Sequence, residues 1–161
     1  MSIITNVEKH NPWIVTLTIG DAPFTAWKPG QFVLFSVREG ETWAPEHVYT
    51  ISSAPEEGEV RITVKAAGPS STRLQDAVPG MEVRVRGPMG HFCKDADHQP
   101  RLTLIAGGIG ITPFLSLLRH MMRAGTKSQI VLLWANNTAN DIIHREELAA
   151  IAEKLGARIL H

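Results

Sequence analysis

The segment Leu102-Thr-Leu-Ile-Ala-Gly-Gly-Ile-Gly-Ile-Thr-Pro113 runs from an apolar strand through a glycine turn into a helix. Leu102, Leu104, Ile105 and Ala106 form the strand, and Gly107, Gly108 and Gly110 the turn. Thr112 suits the N-cap and Pro113 the first helical position, where a missing N–H costs nothing. The helical pattern ends near Gly125, which suits the residue just past a helix C-terminus. Ile130 to Leu133 reads as a second buried strand. Leu148, Ile151, Ala152 and Leu155 follow helical spacing, and Ala157 to Leu160 begins a third strand. Strands alternating with helices predict a parallel sheet with right-handed crossovers.

Upstream of Pro100 the character is different. Residues 1 to about 98 read as all-β. Trp13, Val15, Leu17 and Ile19 alternate with Ile14, Thr16 and Thr18; Val60, Ile62 and Val64 alternate with Arg61, Thr63 and Lys65; Val83 and Val85 alternate with Glu82, Arg84 and Arg86. Period-two alternation predicts strands with one face on a core and one on solvent. Phe32 to Val37 is denser and predicts a more buried strand. Pro29-Gly30, Glu57-Gly58 and Pro79-Gly80 mark turns between the runs. Short strands at this spacing predict a small sandwich or barrel.

The bulk composition excludes several classes. The 161 residues are 43% hydrophobic and 20% charged, with 16 basic and 16 acidic side chains. A nucleic-acid binder normally carries a basic surplus, because phosphate neutralisation dominates its affinity. No stretch approaches the roughly 20 apolar residues that span a bilayer, and the N-terminus lacks the basic and apolar regions of a secretory signal. Cys93 is the only cysteine, so no intrachain disulfide forms, which fits a reducing compartment. The expectation is a cytoplasmic globular protein.

Four constellations carry chemistry. Gly107–Pro113 places glycines and a helix N-terminus where a pyrophosphate can approach the backbone; the alternative is a tight strand–helix turn. Gly68-Pro-Ser-Ser-Thr-Arg-Leu74 offers the hydroxyls of Ser70, Ser71 and Thr72 to a phosphate, or caps a short helix. His47-Val-Tyr-Thr-Ile-Ser-Ser53 sets the only tyrosine beside three hydroxyl residues. On a strand, His47, Tyr49 and Ile51 point one way, Val48, Thr50 and Ser52 the other. Gly87-Pro-Met-Gly-His-Phe92 is a glycine-rich exit from the β half.

In this order the four segments resemble the ferredoxin–NADP⁺ reductase family. His47–Ser53 is similar to its R-x-Y-[ST]-x-x-S flavin motif, and Gly68–Leu74 to its G-x-x-S-x-x-L phosphate motif. Gly87–Phe92 is similar to its G-P-x-G-x-F, and Gly107–Pro113 to its nucleotide motif G-G-x-G-x-T-P. The resemblance runs from about Pro29 to Leu148. It implies a β plus α/β fold: a six-stranded antiparallel Greek-key flavin barrel over residues 1–98, then a partial, three-strand parallel α/β domain for NAD(P)H over 99–161. It implies FAD, with FMN as the alternative, held by His47, Val48, Tyr49, Thr50, Ser53, Val64, Lys65, Gly68, Ser70, Ser71 and Thr72. NADH or NADPH would sit on Gly107, Gly108, Gly110, Thr112 and Pro113. Tyr49, Thr50 and Thr112 would stand nearest the reacting atoms. Hydride would pass from nicotinamide to flavin, and electrons on to an acceptor such as an iron–sulfur or haem protein. The cofactors do the chemistry while the protein aligns them.

Three departures from the family pattern matter. His47 replaces the usual arginine, exchanging a permanent forked cation for a smaller, partly charged ring. Asn137 is uncharged where NADPH-selective relatives often place arginine, which favours NADH, although Arg145 offers a later cation. The family's nucleotide domain normally continues through two more strands with a C-G-P motif, whereas this sequence stops on its third strand. A truncated chain or one completed by a partner is the expectation, because a bare sheet edge is a liability.

Two other readings stay open: a flavin-binding electron-transfer subunit that depends on a partner, and a degenerate module without flavin. Trp13, Trp27 and Trp43 read as core or loop anchors. Arg145-Glu146-Glu147 reads as a solvated helix face. The seven histidines read as scattered and solvent-facing; His91, Cys93 and His98 fall short of a structural zinc set, so no metal is expected.

Overall fold

The computed structural model describes residues 1–161. Its first strands are β1 (Ser2–Asn11), β2 (Ile14–Gly20), β3 (Phe32–Glu39), β4 (Thr42–Trp43), β5 (His47–Thr50), β6 (Val60–Lys65) and β7 (Glu82–Met89), with a short helix α1 (Pro69–Arg73) between β6 and β7. All pairings are antiparallel: β1 with β2 and β7, β2 with β6, and β3 with β7 and β5. A bridge between Ile51 and Ile62 joins the end of β5 to β6. The circuit β2-β1-β7-β3-β5-β6 is therefore a closed six-stranded barrel, which leaves no free edge, and β4 folds back antiparallel on the end of β3. Ile4, Val15, Leu17, Val33, Phe35 and Ile62 fill it. Burying each such side chain contributes roughly 1.5–3 kcal/mol.

Two features of the barrel depart from the sequence reading. β1 has no clean alternation because its register shifts between Ile4 and Asn6 and again between Lys9 and Asn11. Each bulge inserts a residue and breaks the period of two. β2 does not present one face to solvent: Ile14 to Ile19 are all buried. Its second face lies under the other half of the molecule, where Ile14 joins the second core and Thr16 bonds the Thr63 hydroxyl at 2.8 Å.

The second half comprises β8 (Arg101–Gly107), α2 (Thr112–Ala124), β9 (Gln129–Ala135), α3 (Arg145–Leu155) and β10 (Arg158–Leu160). The strands form a parallel sheet in the order β10-β9-β8. Leu104, Ile130, Leu132 and Trp134 pack under α2 and α3. On the opposite face Ile105, Leu133 and Leu160 are exposed. Helix α2 begins one residue away from the sequence reading. A 3₁₀ turn over Gly108–Ile111 precedes it, Ile111 is the N-cap and Thr112 the first helical residue. The Thr112 hydroxyl donates back to the Ile109 carbonyl at 3.1 Å instead of capping. Gly125 ends the helix in the left-handed region at φ 66°, as its identity requires. No helix is long and apolar enough to cross a membrane.

The halves are joined by polar side chains as well as apolar ones. Trp13 Nε1 and Lys65 Nζ both donate to Asp141 Oδ1, at 2.8 and 2.9 Å. Ser116 donates to the Ser53 carbonyl at 2.7 Å. Arg119, 2% exposed, donates to the Ser52 carbonyl at 2.7 Å and grips Glu147 with two bonds of 2.7 and 2.6 Å. Glu147 is therefore no solvated helix residue, although Arg145 and Glu146 are exposed. Burial favours the neutral Glu147 acid, but Arg119 and His144 overcome it and hold the carboxyl well below the usual range. Nor are all histidines solvent-facing. The side chains of His10 and His144 are 9% and 8% exposed, trapped where β1 meets the segment before α3. The tryptophans do anchor: Trp27 donates to the Ser53 carbonyl at 3.2 Å, and Trp43 lies under Arg84 at 4.1 Å. The second core also reaches upstream of residue 99, through Ile14 and Cys93.

This junction sets the acid sensitivity of the chain. Lys65 and Trp13 hold the Asp141 carboxyl at about 2. Burial and the neighbouring His144 push His10 down to about 4. Both groups therefore bind protons more readily in the unfolded chain, so stability rises with pH. The His10 contribution is lost between about pH 6.5 and 4, and the Asp141 contribution between about 4 and 2. The melting temperature of the chain is expected to fall by about 5 °C or more from pH 7 to pH 4. A flat profile across that interval would contradict this reading of the junction.

Candidate functional site

Between the halves opens a cleft of about 530 Å³. Strand β5 supplies Val48, Tyr49 and Thr50, and β6 supplies Val64 and Lys65. The turn before α2 supplies Gly110, and the first residues of α2 supply Thr112 and Pro113. These are eight of the residues singled out from sequence, drawn from segments far apart in the chain. Val48 is 58% exposed and Phe92 70% exposed at the rim; Phe92 leans on Phe114 with ring centroids 5.7 Å apart. Exposed apolar side chains at a cleft mark a surface suited to a partly apolar ligand. Gly30, Phe32, Phe92 and Ile109 line the cleft too and were missed as site residues. Only the G-P-x-G-x-F segment gave a sign of Phe92.

Alternation along β5 divides its side chains between two recesses. Val48 and Thr50 face the cleft, whereas His47 looks into an adjoining crevice with Ser70, Arg73 and Phe35; Tyr49 borders both. The Tyr49 ring meets Phe35 edge-on at 5.9 Å, and burial pushes its phenol pKa up, so it remains a neutral hydrogen-bonding group. Arg73, unremarked in the sequence, sets a permanent cation beside His47 and Ser70; its present partner is the exposed Glu39, at 2.6 Å.

Helix α1 fixes the hydroxyl segment. Ser71 Oγ accepts from the N–H groups of Ala67 and Gly68, at 2.9 and 3.0 Å, and donates to the Gly68 carbonyl at 3.1 Å. Ser71 therefore braces the turn internally, while Thr72 is exposed. Ser53 lies apart from the cleft. It is fully buried, and its hydroxyl accepts from Arg61 N–H at 3.0 Å. Asn137 is exposed just past the carboxyl end of β9.

The glycine turn is held from below, where Trp134 Nε1 donates to the Gly108 carbonyl at 2.9 Å. Gly108 needs its identity for backbone reasons, with φ +48°. Gly107 and Gly110 do not: neither has a positive φ, and a Cβ on either would meet nothing within 4 Å. The protein's own packing gives no reason for glycine there. The larger concavity, about 680 Å³ between Met122 and Arg158, contains none of these residues. It lies at the amino ends of β9 and β10, whereas open α/β sheets bind ligands beyond their carboxyl ends.

Known proteins match this arrangement. Residues 4–108 match the family described as an FAD-binding domain, and residues 104–161 match the oxidoreductase NAD-binding domain. Ferredoxin–NADP reductase B of Sorangium cellulosum is 34% identical over 110 residues, covering 66% of this chain and 45% of that protein. The ferredoxin reductase component of a 3-ketosteroid-9-alpha-monooxygenase from Rhodococcus rhodochrous is 33% identical over 139 residues, covering 83% of this chain and 39% of that one. The chain thus spans less than half the length of these curated relatives. Among solved structures, a ferredoxin NADP⁺ reductase from Neisseria gonorrhoeae with bound FAD and NADP superposes with a TM-score of 0.78 at 22% identity, over 99% of this chain and 65% of that chain. The cytochrome b5 reductase domain of Ulva prolifera nitrate reductase gives 0.78 at 25% identity, over 98% and 71%.

Proposed function

The chain belongs to the ferredoxin–NADP⁺ reductase family of FAD- and NAD-binding oxidoreductase domains, and from that premise we propose that it moves electrons from NADH, in preference to NADPH, through FAD to a protein acceptor. The observation that carries the reading is the convergence of β5, β6 and the glycine turn on one cleft. Residues 1–98 act as the flavin unit and 99–161 as the nucleotide unit, and the cleft belongs to both.

The residues fit the cofactor. Val48, Tyr49 and Thr50 offer a mixed apolar and hydroxyl wall for its ring system, and Val64 and Lys65 the neighbouring edge. Ser70, the backbone of Gly68 and the exposed Thr72 take the phosphates. Arg73 supplies the permanent charge that His47 lacks, once its exposed partner Glu39 gives way; such surface pairs are weak. Gly107, Gly108 and Gly110 bring backbone N–H groups to the nucleotide, and Thr112 and Pro113 start the helix that faces its negative charge. When bound, FAD supplies the two-electron acceptor chemistry toward the nicotinamide. The protein's part is to align the two rings and keep water from between them.

Asn137 carries no charge for a 2′-phosphate, which supports NADH. The relatives are named for ferredoxin and for a monooxygenase, so an iron–sulfur or haem protein is the proposed class of acceptor. The test is anaerobic reduction of the FAD-loaded chain, followed by absorbance with NADH and then NADPH. NADH is expected to reduce the flavin at least about 10-fold faster; equal rates would refute the selectivity, and no reduction by either would refute the enzyme reading in favour of a partner-dependent module. Gly110→Ala is expected to leave the melting temperature unchanged, because its Cβ meets nothing. It should still raise the KM for NADH about 10-fold or more, the loss of about 1.4 kcal/mol of backbone contact.

A further inference from the structure

Away from the cleft, Glu8, His10 and His144 bring one ligand atom each to within 4.8 Å of the others. Glu8 and His10 are two apart on β1, where the second bulge turns the His10 ring to within 3.6 Å of the Glu8 carboxylate. His144 comes from the segment that enters α3 in the other half.

The hydrogen bonds around these side chains fix which atoms are free. Ser52 Oγ donates to the Arg61 carbonyl at 3.2 Å, so Thr63 must donate to Ser52, at 3.0 Å. Thr16 must then donate to Thr63, at 2.8 Å. His10 Nε2 in turn must carry a proton and donate to Thr16, at 2.8 Å. The neutral His10 ring thus presents the lone pair of Nδ1, which lies 3.6 Å from Glu8 Oε1. In His144, Nδ1 faces the Glu147 carboxylate at 3.2 Å. A carboxylate only accepts, so Nδ1 carries the proton and Nε2 the lone pair. That Nε2 is buried, and no hydrogen-bond partner reaches it.

A carboxylate, the His10 Nδ1 lone pair and a ring nitrogen of His144 therefore converge, and the buried His144 Nε2 has no partner. Left alone, that buried Nε2 is unfavourable, because a buried acceptor needs a partner. One cation would satisfy all three. Both histidines also have the support that metal-ligating histidines usually show, the far nitrogen donating to an anchored oxygen: Thr16 for His10, and the Arg119-held Glu147 for His144. We propose that Glu8, His10 and His144 bind a divalent transition-metal ion of the zinc class, which clips β1 of the barrel to the α/β half. Two histidines and one carboxylate are an established zinc donor set, with a water in the fourth place. Bonds of about 2.0–2.2 Å require the ligand atoms to close by about 1 Å. Glu8, whose side chain is 50% exposed, is free to turn inward. The site uses nothing from the cleft and does not depend on the flavin reading.

The test is titration of the chelator-treated 161-residue chain with Zn²⁺ against a chromophoric indicator, and with Co²⁺ read by visible absorption. One ion per chain is expected, with Co²⁺ bands of a four- or five-coordinate site and a melting temperature raised by Zn²⁺. His144→Asn should weaken Zn²⁺ at least about 100-fold, and Glu8→Gln about 10-fold or more. Glu8 is half-exposed, so its variant keeps the fold and the question testable even where His144→Asn unfolds. Circular dichroism of the metal-free variants separates the two causes. No stoichiometric binding would overturn the proposal. So would unchanged affinity in Glu8→Gln, or loss of binding in His91→Ala or His98→Ala with Glu8→Gln unaffected.

Discussion

Arg119→Met is expected to lower the unfolding free energy by about 2–3 kcal/mol. Arg119 is 2% exposed and bridges three elements: its own helix α2, Glu147 on α3, and the Ser52 carbonyl that follows β5. Methionine fills most of the space but donates nothing. The Ser52 carbonyl then stays buried without this bond, and Glu147 is left beside His144 alone. Removing one partner of a buried pair usually costs about 3–5 kcal/mol, because the other charge remains desolvated. Glu147 is 38% exposed and rehydrates in part, which places the expectation below that range. The measurement is the urea midpoint at an unchanged m value. Pairing the change with Glu147→Leu should recover part of the loss, since the double variant removes both charges. A loss under about 0.5 kcal/mol, typical of a surface pair, would show that the halves do not depend on this clamp.

The second large effect is expected on ligand affinity. Tyr49 borders both the cleft and the crevice beside α1, and Phe35 holds its ring edge-on. Tyr49→Ser should weaken FAD binding about 10- to 100-fold, equivalent to roughly 1.4–2.8 kcal/mol, the scale of a lost aromatic contact plus its buried area. Tyr49→Phe keeps the ring and should stay within a few fold of the parent. Fluorescence titration of FAD into the three proteins decides it. Equal affinity for Tyr49→Ser and the parent would place the ring system elsewhere.

What the sequence made legible followed local chemistry. The strand–glycine–helix order of Leu102–Pro113 foretold the parallel sheet, because turn and cap residues act within a few positions. The recurring alternations foretold the barrel strands wherever the ladder is regular. β1 escaped because its two bulges destroy the period and much of it is polar. The buried second face of β2 escaped because it is covered by residues more than a hundred positions away, and no local pattern records that. The histidine junction escaped for the same reason: Glu8 and His10 look like surface residues until α3 delivers His144 and Glu147 beside them. Within the cleft, the strand and glycine segments led to Val48, Tyr49, Thr50 and Gly110. The internal bracing by Ser71 and the cation of Arg73 became visible only once α1 was seen against β5.

The most direct measurement is the visible absorption spectrum of the purified chain, titrated with FAD and then made anaerobic and given NADH. One FAD per chain, with a perturbed flavin band that bleaches on NADH, is the predicted result. A chain whose added FAD stays free, with the spectrum of unbound flavin before and after NADH, would contradict the account.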